Sequence, residues 1–199
     1  MFDEVDDLPV YRLRPLPIAP LRGNFCISEA LLPATRRALE GFAVDGIRDG
    51  GHEGMVFWTG WSGVERTFLV QAIIPNAQHS RLRVHASKEA VAEAARAARN
   101  SGLGILCQVH SHPGSDTRHS DGDDDLVLLP FDGMLSIVAP NFGLGLESLA
   151  QCSVHQFQQD KWVLCDPASV SAGVKLVPSE INLRESLRRV PPPAIQADK

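Results

Sequence analysis

The chain contains no C-x-x-C pair. Its four cysteines, Cys26, Cys107, Cys152 and Cys165, are scattered singly, which reads as reduced thiols in a cytoplasmic protein rather than a disulfide framework. It also lacks a basic stripe. The net charge is -5, and the one basic cluster, LRESLRR near the C-terminus, is short and broken by Glu185. A nucleic-acid partner is therefore not expected, because nothing offsets the phosphate charge. No apolar run approaches the ~18 residues that a membrane span needs. The acidic start MFDEVDD does not fit a signal peptide, which begins basic and then turns apolar. There is no internal repeat. Three common hydrolase signatures are missing as well: H-E-x-x-H, H-x-x-E-H and the G-x-S-x-G elbow. Cys107 is a poor nucleophile candidate. It stands three residues before His110 on an expected strand, so the two face opposite sides, and it reads as core.

What is there is an ordinary globular composition, with 44% hydrophobic and 22% charged residues in 199. That is enough for one domain, or one domain with tails, with a core that needs no staple. Residues 1–24 carry Pro9, Pro15, Pro17 and Pro20 and read as an extended arm or edge strand. FCIS reads as a short strand. Ser28 is expected to cap a helix through EALLPATRRALEGF, with Leu31, Leu32, Thr35, Leu39 and Phe42 on one face. MVFWTGW and RTFLVQAIIP read as strands. SKEAVAEAARAARNSG is the clearest helix, capped by Ser87 and stopped at Gly102. GILCQVHSHP, MLSIVAP, LAQCSVHQFQ and KWVLC read as further strands, the last two as a hairpin. Residues 166–199 read as a tail, with a short amphipathic stretch at 181–190 and a disordered end. The order of elements predicts a single α/β domain with a mixed β-sheet flanked by helices, over residues 25–165.

The stretch CQVHSHPGSDTRHSDGDDD, residues 107–125, crowds three of the seven histidines against five aspartates. His110 and His112 are two apart on a strand, so their rings project from one face at its end. Two imidazoles so placed suit a zinc site, which needs a third protein ligand. Asp116, His119, Asp121, Asp123, Asp124 and Asp125 are the candidates. The plainer reading is a solvated turn whose aspartates cap the following DDLVLL segment. A calcium loop is excluded: Asp121, Asp123 and Asp125 have the right spacing, but Leu126 stands where the loop requires glycine. Cys152, His155 and Cys165 are a weaker candidate for a second, structural zinc, with poor spacing and no fourth ligand.

The full spacing, His110-x-His112 followed by Ser120 and Asp123, is H-x-H-x7-S-x-x-D. Together with the HSHP form at Pro113, it resembles the signature of the JAMM (MPN+) zinc metalloproteases, the family of deubiquitinase-type isopeptidases. HEGMVFWTG supplies the upstream glutamate and glycine of that family as Glu53 and Gly60. The resemblance covers roughly residues 25–165 and implies a cytidine-deaminase-like α/β fold. It implies that His110, His112 and Asp123 bind zinc. It further implies that Glu53 is the general base and that Ser120 donates to the oxyanion. The implied substrate is an amide after the C-terminal glycine of ubiquitin or a ubiquitin-like protein. The chain looks like the stand-alone bacterial JAB-type proteins that accompany activating and conjugating enzymes, some of them antiphage. Rival readings are release of sulfur-carrier proteins in cofactor synthesis and a silent MPN scaffold that only binds partners.

Overall fold

The computed structural model describes residues 15–120, 122–123 and 130–179. Eleven strands and three α-helices run through these residues. In chain order they are β1 (Ile18–Ala19), β2 (Phe25–Ser28), α1 (Leu31–Asp45), β3 (Met55–Ser62), β4 (Thr67–Ile73), β5 (Ala77–Ser80) and β6 (Arg83–Ala86). Then follow α2 (Lys88–Asn100), β7 (Gly104–Ser111), β8 (Leu135–Ala139), β9 (Ser153–Gln158), β10 (Lys161–Cys165), α3 (Pro167–Gly173) and β11 (Val174–Val177). Nine strands form one mixed sheet in the order β1-β10-β9-β8-β7-β3-β4-β2-β11, and β5–β6 is a separate hairpin. The α/β class with a mixed sheet between helices is thus as expected.

The alternation of each central strand divides the sheet into two unlike faces. Val56, Trp58, Cys107, Val109, Leu135, Ile137 and Val154 share the main core with Leu31, Leu32 and Leu39 of α1. Trp58 is fully buried and its indole N–H donates to Thr35 Oγ1 of α1 at 2.7 Å. On the other face, Met55 and Phe57 pack with Val84 and Ala86 of β6 and with Ala90 and Ala94 of α2. The alanine stripe of α2 explains this close seat. Its start is fixed by Ser87, whose hydroxyl accepts from Ala90 N, and its end by Gly102 at φ +71°. Beyond α2 the same face turns polar, with Gln108 and His110 of β7, Ser136 of β8 and His155 of β9, all buried.

Several local expectations need correction. Ser28 does not cap α1. It is the last residue of β2, aligned with Val177, and the helix starts at Leu31 with Ala30 at the cap and no side-chain bond. Pro33 sits in the first turn, where its missing N–H is harmless. Ala43, rather than Phe42, completes the buried face of α1. The strand drawn from Leu149 begins only at Ser153, because Ser148 caps a short 3₁₀ turn over Leu149–Gln151. The β5–β6 hairpin has little alternation and was not anticipated. Residues 167–177, read as the start of a tail, form α3 and β11, and β11 pairs in parallel with β2. At the opposite edge, β1 of the arm pairs in parallel with β10. The sheet therefore reaches past both 25 and 165. The stretches 124–129, 181–190 and 191–199 lie outside the described residues.

Candidate metal centre

Strand β7 carries His110 within its last turn of pleat and delivers His112 just past its end. Both rings emerge on the polar face of the sheet. One main-chain and one side-chain bond extend the β3–β7 contact beyond the strands: Ser111 N–H donates to Gly54 O, and Gly54 N–H donates to the Ser111 hydroxyl, each at 3.0 Å. His112 is also held from the other side, its N–H donating to Ala139 O at 2.9 Å. With Met55 aligned on His110, this continuation sets Glu53 opposite His112.

Donor atoms of three residues converge at the mouth of these strands. His110 Nε2 lies 3.2 Å from His112 Nε2 and 3.2 Å from Asp123 Oδ1, and His112 Nε2 lies 3.4 Å from Asp123 Oδ2. Among the described residues this is the one cluster of three that could hold a metal ion. The spacing itself is a test of fit. Donors placed ~2.0–2.1 Å from a tetrahedral zinc are separated by about 3.3 Å; the two imidazole nitrogens stand 3.2 Å apart, and each faces a different oxygen of Asp123 at a like distance. The tautomer also fits. His112 Nδ1 faces the Asp116 carbonyl at 2.9 Å, so its proton belongs there and Nε2 presents its lone pair inward. Asp123 is oriented by the Ser120 backbone N–H, which donates to Oδ2 at 2.6 Å.

Electrostatics sharpen the picture. Burial would raise the Asp123 carboxyl, but His110 and His112 outweigh it and hold Asp123 far below the usual carboxylate range. Burial pulls the His110 ring down, partly countered by Asp123, which keeps it a neutral donor. Burial also lowers His112, but its bonds to Asp123 and the Glu53 charge prevail and the net shift is upward. Glu53 is buried and its pKa is pushed up to about 8, chiefly by desolvation; His112 opposes the rise and Asp123 adds to it. A carboxyl poised near neutrality beside a metal-donor set is suited to accept and return a proton.

The other candidates behave differently. Asp116 is paired with Arg118 at the rim, at 2.5 Å to Oδ2, and its carboxyl is held down to about 2 by that partner. His119 is buried behind the donor set and stacks on His155, with ring centroids 4.1 Å apart. Asp121, Asp124 and Asp125 lie outside the described residues. Cys152, His155 and Cys165 do not gather: the two thiols pack into the apolar core, while His155 looks out on the opposite face toward His119. Gly60, seven residues after Glu53, has a direct reason. A Cβ there would lie 1.6 Å from Phe68 O, where the β3–β4 register shifts. Of the buried polar set, Gln108 and Ser136 were missed from sequence, while His119 and His155 were read there as candidate metal ligands. The only signal for the missed pair was polar residues at strand positions expected to be apolar.

A nine-stranded mixed sheet flanked by helices, with two histidines and an aspartate at the mouth of its central strands, defines an α/β protein with a candidate metal centre. Residues 37–145, just over half of the chain, match the family described as prokaryotic homologs of the JAB domain, and the chain belongs to that family. It is 34% identical over 96 residues to a protein of Sinorhizobium fredii named "Probable metalloprotease y4jG". That match takes in 46% of this chain and 59% of the relative, so the chain spans less than two thirds of the relative's length. Among solved structures it is similar to protein DSY2949 from Desulfitobacterium hafniense, with a TM-score of 0.53 and 15% identity over 77% of this chain and 93% of the other. A JAB1/MPN domain protein from Archaeoglobus fulgidus aligns with a TM-score of 0.41 and 17% identity over 78% and 97% of the two chains.

Proposed function

We propose that this protein is a zinc-dependent peptidase of the isopeptidase type. Its substrate would be the amide that follows the C-terminal glycine of a ubiquitin-like protein, joined either to a lysine side chain or to a peptide extension. The observation that supports this most is the convergence of His110, His112 and Asp123 with Glu53 set across the strands from His112. The relative's printed name, a metalloprotease, supports the hydrolytic part of the reading.

In this reading His110, His112 and Asp123 hold the ion. Bound zinc supplies Lewis acidity, polarising the scissile carbonyl and making water easier to deprotonate. Glu53 removes the proton from the attacking water as its oxygen bonds to the carbonyl carbon. It then delivers that proton to the amide nitrogen, which leaves as the amine when the C–N bond breaks. Ser120 stands next to the donor set and donates its hydroxyl to the oxyanion of the intermediate. Burial around Glu53 keeps bulk water from competing for the proton. Activating and conjugating enzymes of the same modifier system are the expected partners. The cytoplasm is the expected compartment, in keeping with four free thiols.

The test is to measure metal per chain on the purified protein and to follow cleavage of a C-terminally extended ubiquitin-like protein. Near-stoichiometric zinc and cleavage after the glycine support the proposal. A protein that neither retains zinc nor cleaves would instead be a scaffold. Cleavage confined to a sulfur-carrier fusion would move the substrate to cofactor synthesis.

A further inference from the structure

Among the described residues, three buried side-chain atoms have no hydrogen-bond partner: Gln108 Oε1, His110 Nδ1 and His155 Nδ1. All lie on the polar face of the sheet, on β7 and β9, with Ser136 of β8 between them. Unpaired buried polar atoms are uncommon in folded proteins. Three of them beside a metal-donor set point to a role.

The chemistry of His110 suggests which. If Nε2 binds the ion, as proposed above, Nδ1 must carry the ring proton. It is then a buried donor that needs an acceptor. Gln108 Oε1 is a buried acceptor that needs a donor. The two residues are two apart on β7 and share its face. The amide of Gln108 is already oriented, because its Nε2 donates to Ser136 Oγ at 3.0 Å. Ser136 Oγ in turn lies 3.0 Å from His119 Nε2, and His119 is braced by the stacked ring of His155. Two links of a chain are in place, Gln108 Nε2–H to Ser136 Oγ and Ser136 Oγ with His119 Nε2. His110 Nδ1 and Gln108 Oε1 are not bonded to each other, and a bond between them would complete the chain in one direction. Packing alone gives no reason for an amide here, since a leucine would fill the same space without an unpaired oxygen.

We propose that Gln108 is a positioning residue that holds the His110 ring as a metal ligand. It accepts the Nδ1–H of His110, directly or through one enclosed water, while Ser136 and His119 fix the amide. This inference rests on the metal reading of His110.

The experiment is Zn²⁺ affinity by chelator competition on the full chain, with ¹⁵N-edited NMR of the histidine rings. Gln108→Leu should bind Zn²⁺ about 10- to 100-fold more weakly, the range for loss of such a partner. Gln108→Glu, which keeps the acceptor, should bind close to the parent; a role in packing alone would be met by leucine and not by glutamate. In the Zn²⁺-loaded parent, the His110 ring proton should sit on Nδ1, exchange slowly with solvent and lie near the Gln108 side chain. Parent-like affinity in Gln108→Leu overturns the inference, as does a His110 ring proton on Nε2. The NMR measurement needs no variant, so it decides the matter even if Gln108→Leu does not fold. Asp123→Ala run alongside separates two failures. If it keeps parent affinity, the metal reading is wrong and this inference falls with it. If Asp123→Ala loses Zn²⁺ but Gln108→Leu does not, the role of Gln108 alone is overturned.

Discussion

The two faces of β7 are built from alternate residues of one eight-residue strand, yet they obey different rules. Cys107 and Val109 point into the main core under α1, among apolar side chains. Gln108 and His110 point the other way, into a buried layer of amide, hydroxyl and imidazole. The first face draws its stability from area removed from water. The second leaves polar atoms unpaired, each at a cost of about 1–3 kcal/mol, and gains a cluster of donors at the mouth. Stability and chemistry are thus separated by the thickness of a single strand, and substitutions on the two faces should fail in different ways.

The largest contrast should come from Asp123→Ala. It removes the carboxylate that bridges both histidines, so zinc content should fall to background and peptide hydrolysis should be lost. Elemental analysis beside an activity assay checks this, and full zinc occupancy would remove the basis of the assignment.

On the apolar face, Trp58→Ala should destabilise by about 3–5 kcal/mol, since the side chain is fully buried and its N–H serves Thr35. Urea denaturation measures it. Variant protein that remains folded should still take up one zinc. Loss of zinc without loss of stability would mean that the faces are not independent.

Glu53→Gln should separate the two kinds of effect in one residue. Turnover should drop ~10²-fold or more with zinc content intact, as for a lost general base. Metal-free stability should move the opposite way. The folded pKa of about 8 lies above the ordinary glutamate value of 4.5, so folding takes up a proton between these values. Stability of the parent therefore falls as pH rises from 4.5 to 8. The variant has no such loss and should be more stable at pH 8 by about 3 kcal/mol, with no advantage at pH 4. Thermal melts at the two pH values check the sign; equal melting of both proteins at pH 8 would contradict a desolvated Glu53.

The smallest effect is expected at Ser87→Ala. Loss of the cap on α2 should cost about 1 kcal/mol and leave zinc affinity unchanged, because α2 covers the apolar half of the second face. A change in zinc affinity would show that this half and the polar half are coupled.

The elements with strong local signals were readable in advance. Ser87 and the alanine stripe set α2, apolar runs set β7 and β8, and KWVLC was read in a hairpin with the strand before it; the structure closes that hairpin at Gln159–Asp160, both at positive φ. The histidine, serine and aspartate positions were also legible, because their offsets are fixed along the chain. Ser28 misled because a residue that could cap a helix is equally able to end a strand, and only the pairing of β2 with β11 decides between them. The β5–β6 hairpin and β11 were invisible for a related reason: short edge strands are made by partners far away in sequence.

What the sequence determined by itself is local. It fixed which residues alternate, which segment is helical, and that two imidazoles share a face. Tertiary structure decided the rest. It brought the carboxylate of Asp123, a residue that its offset had only named, between His110 and His112. It turned Glu53 from a loop carboxylate into a buried group near neutrality, through burial that no spacing encodes. It also placed Gln108, Ser136, His119 and His155 in one layer behind the donor set, although they come from three strands and a loop. Proximity and desolvation are properties of the assembled chain, and pKa values and ligand geometry depend on both.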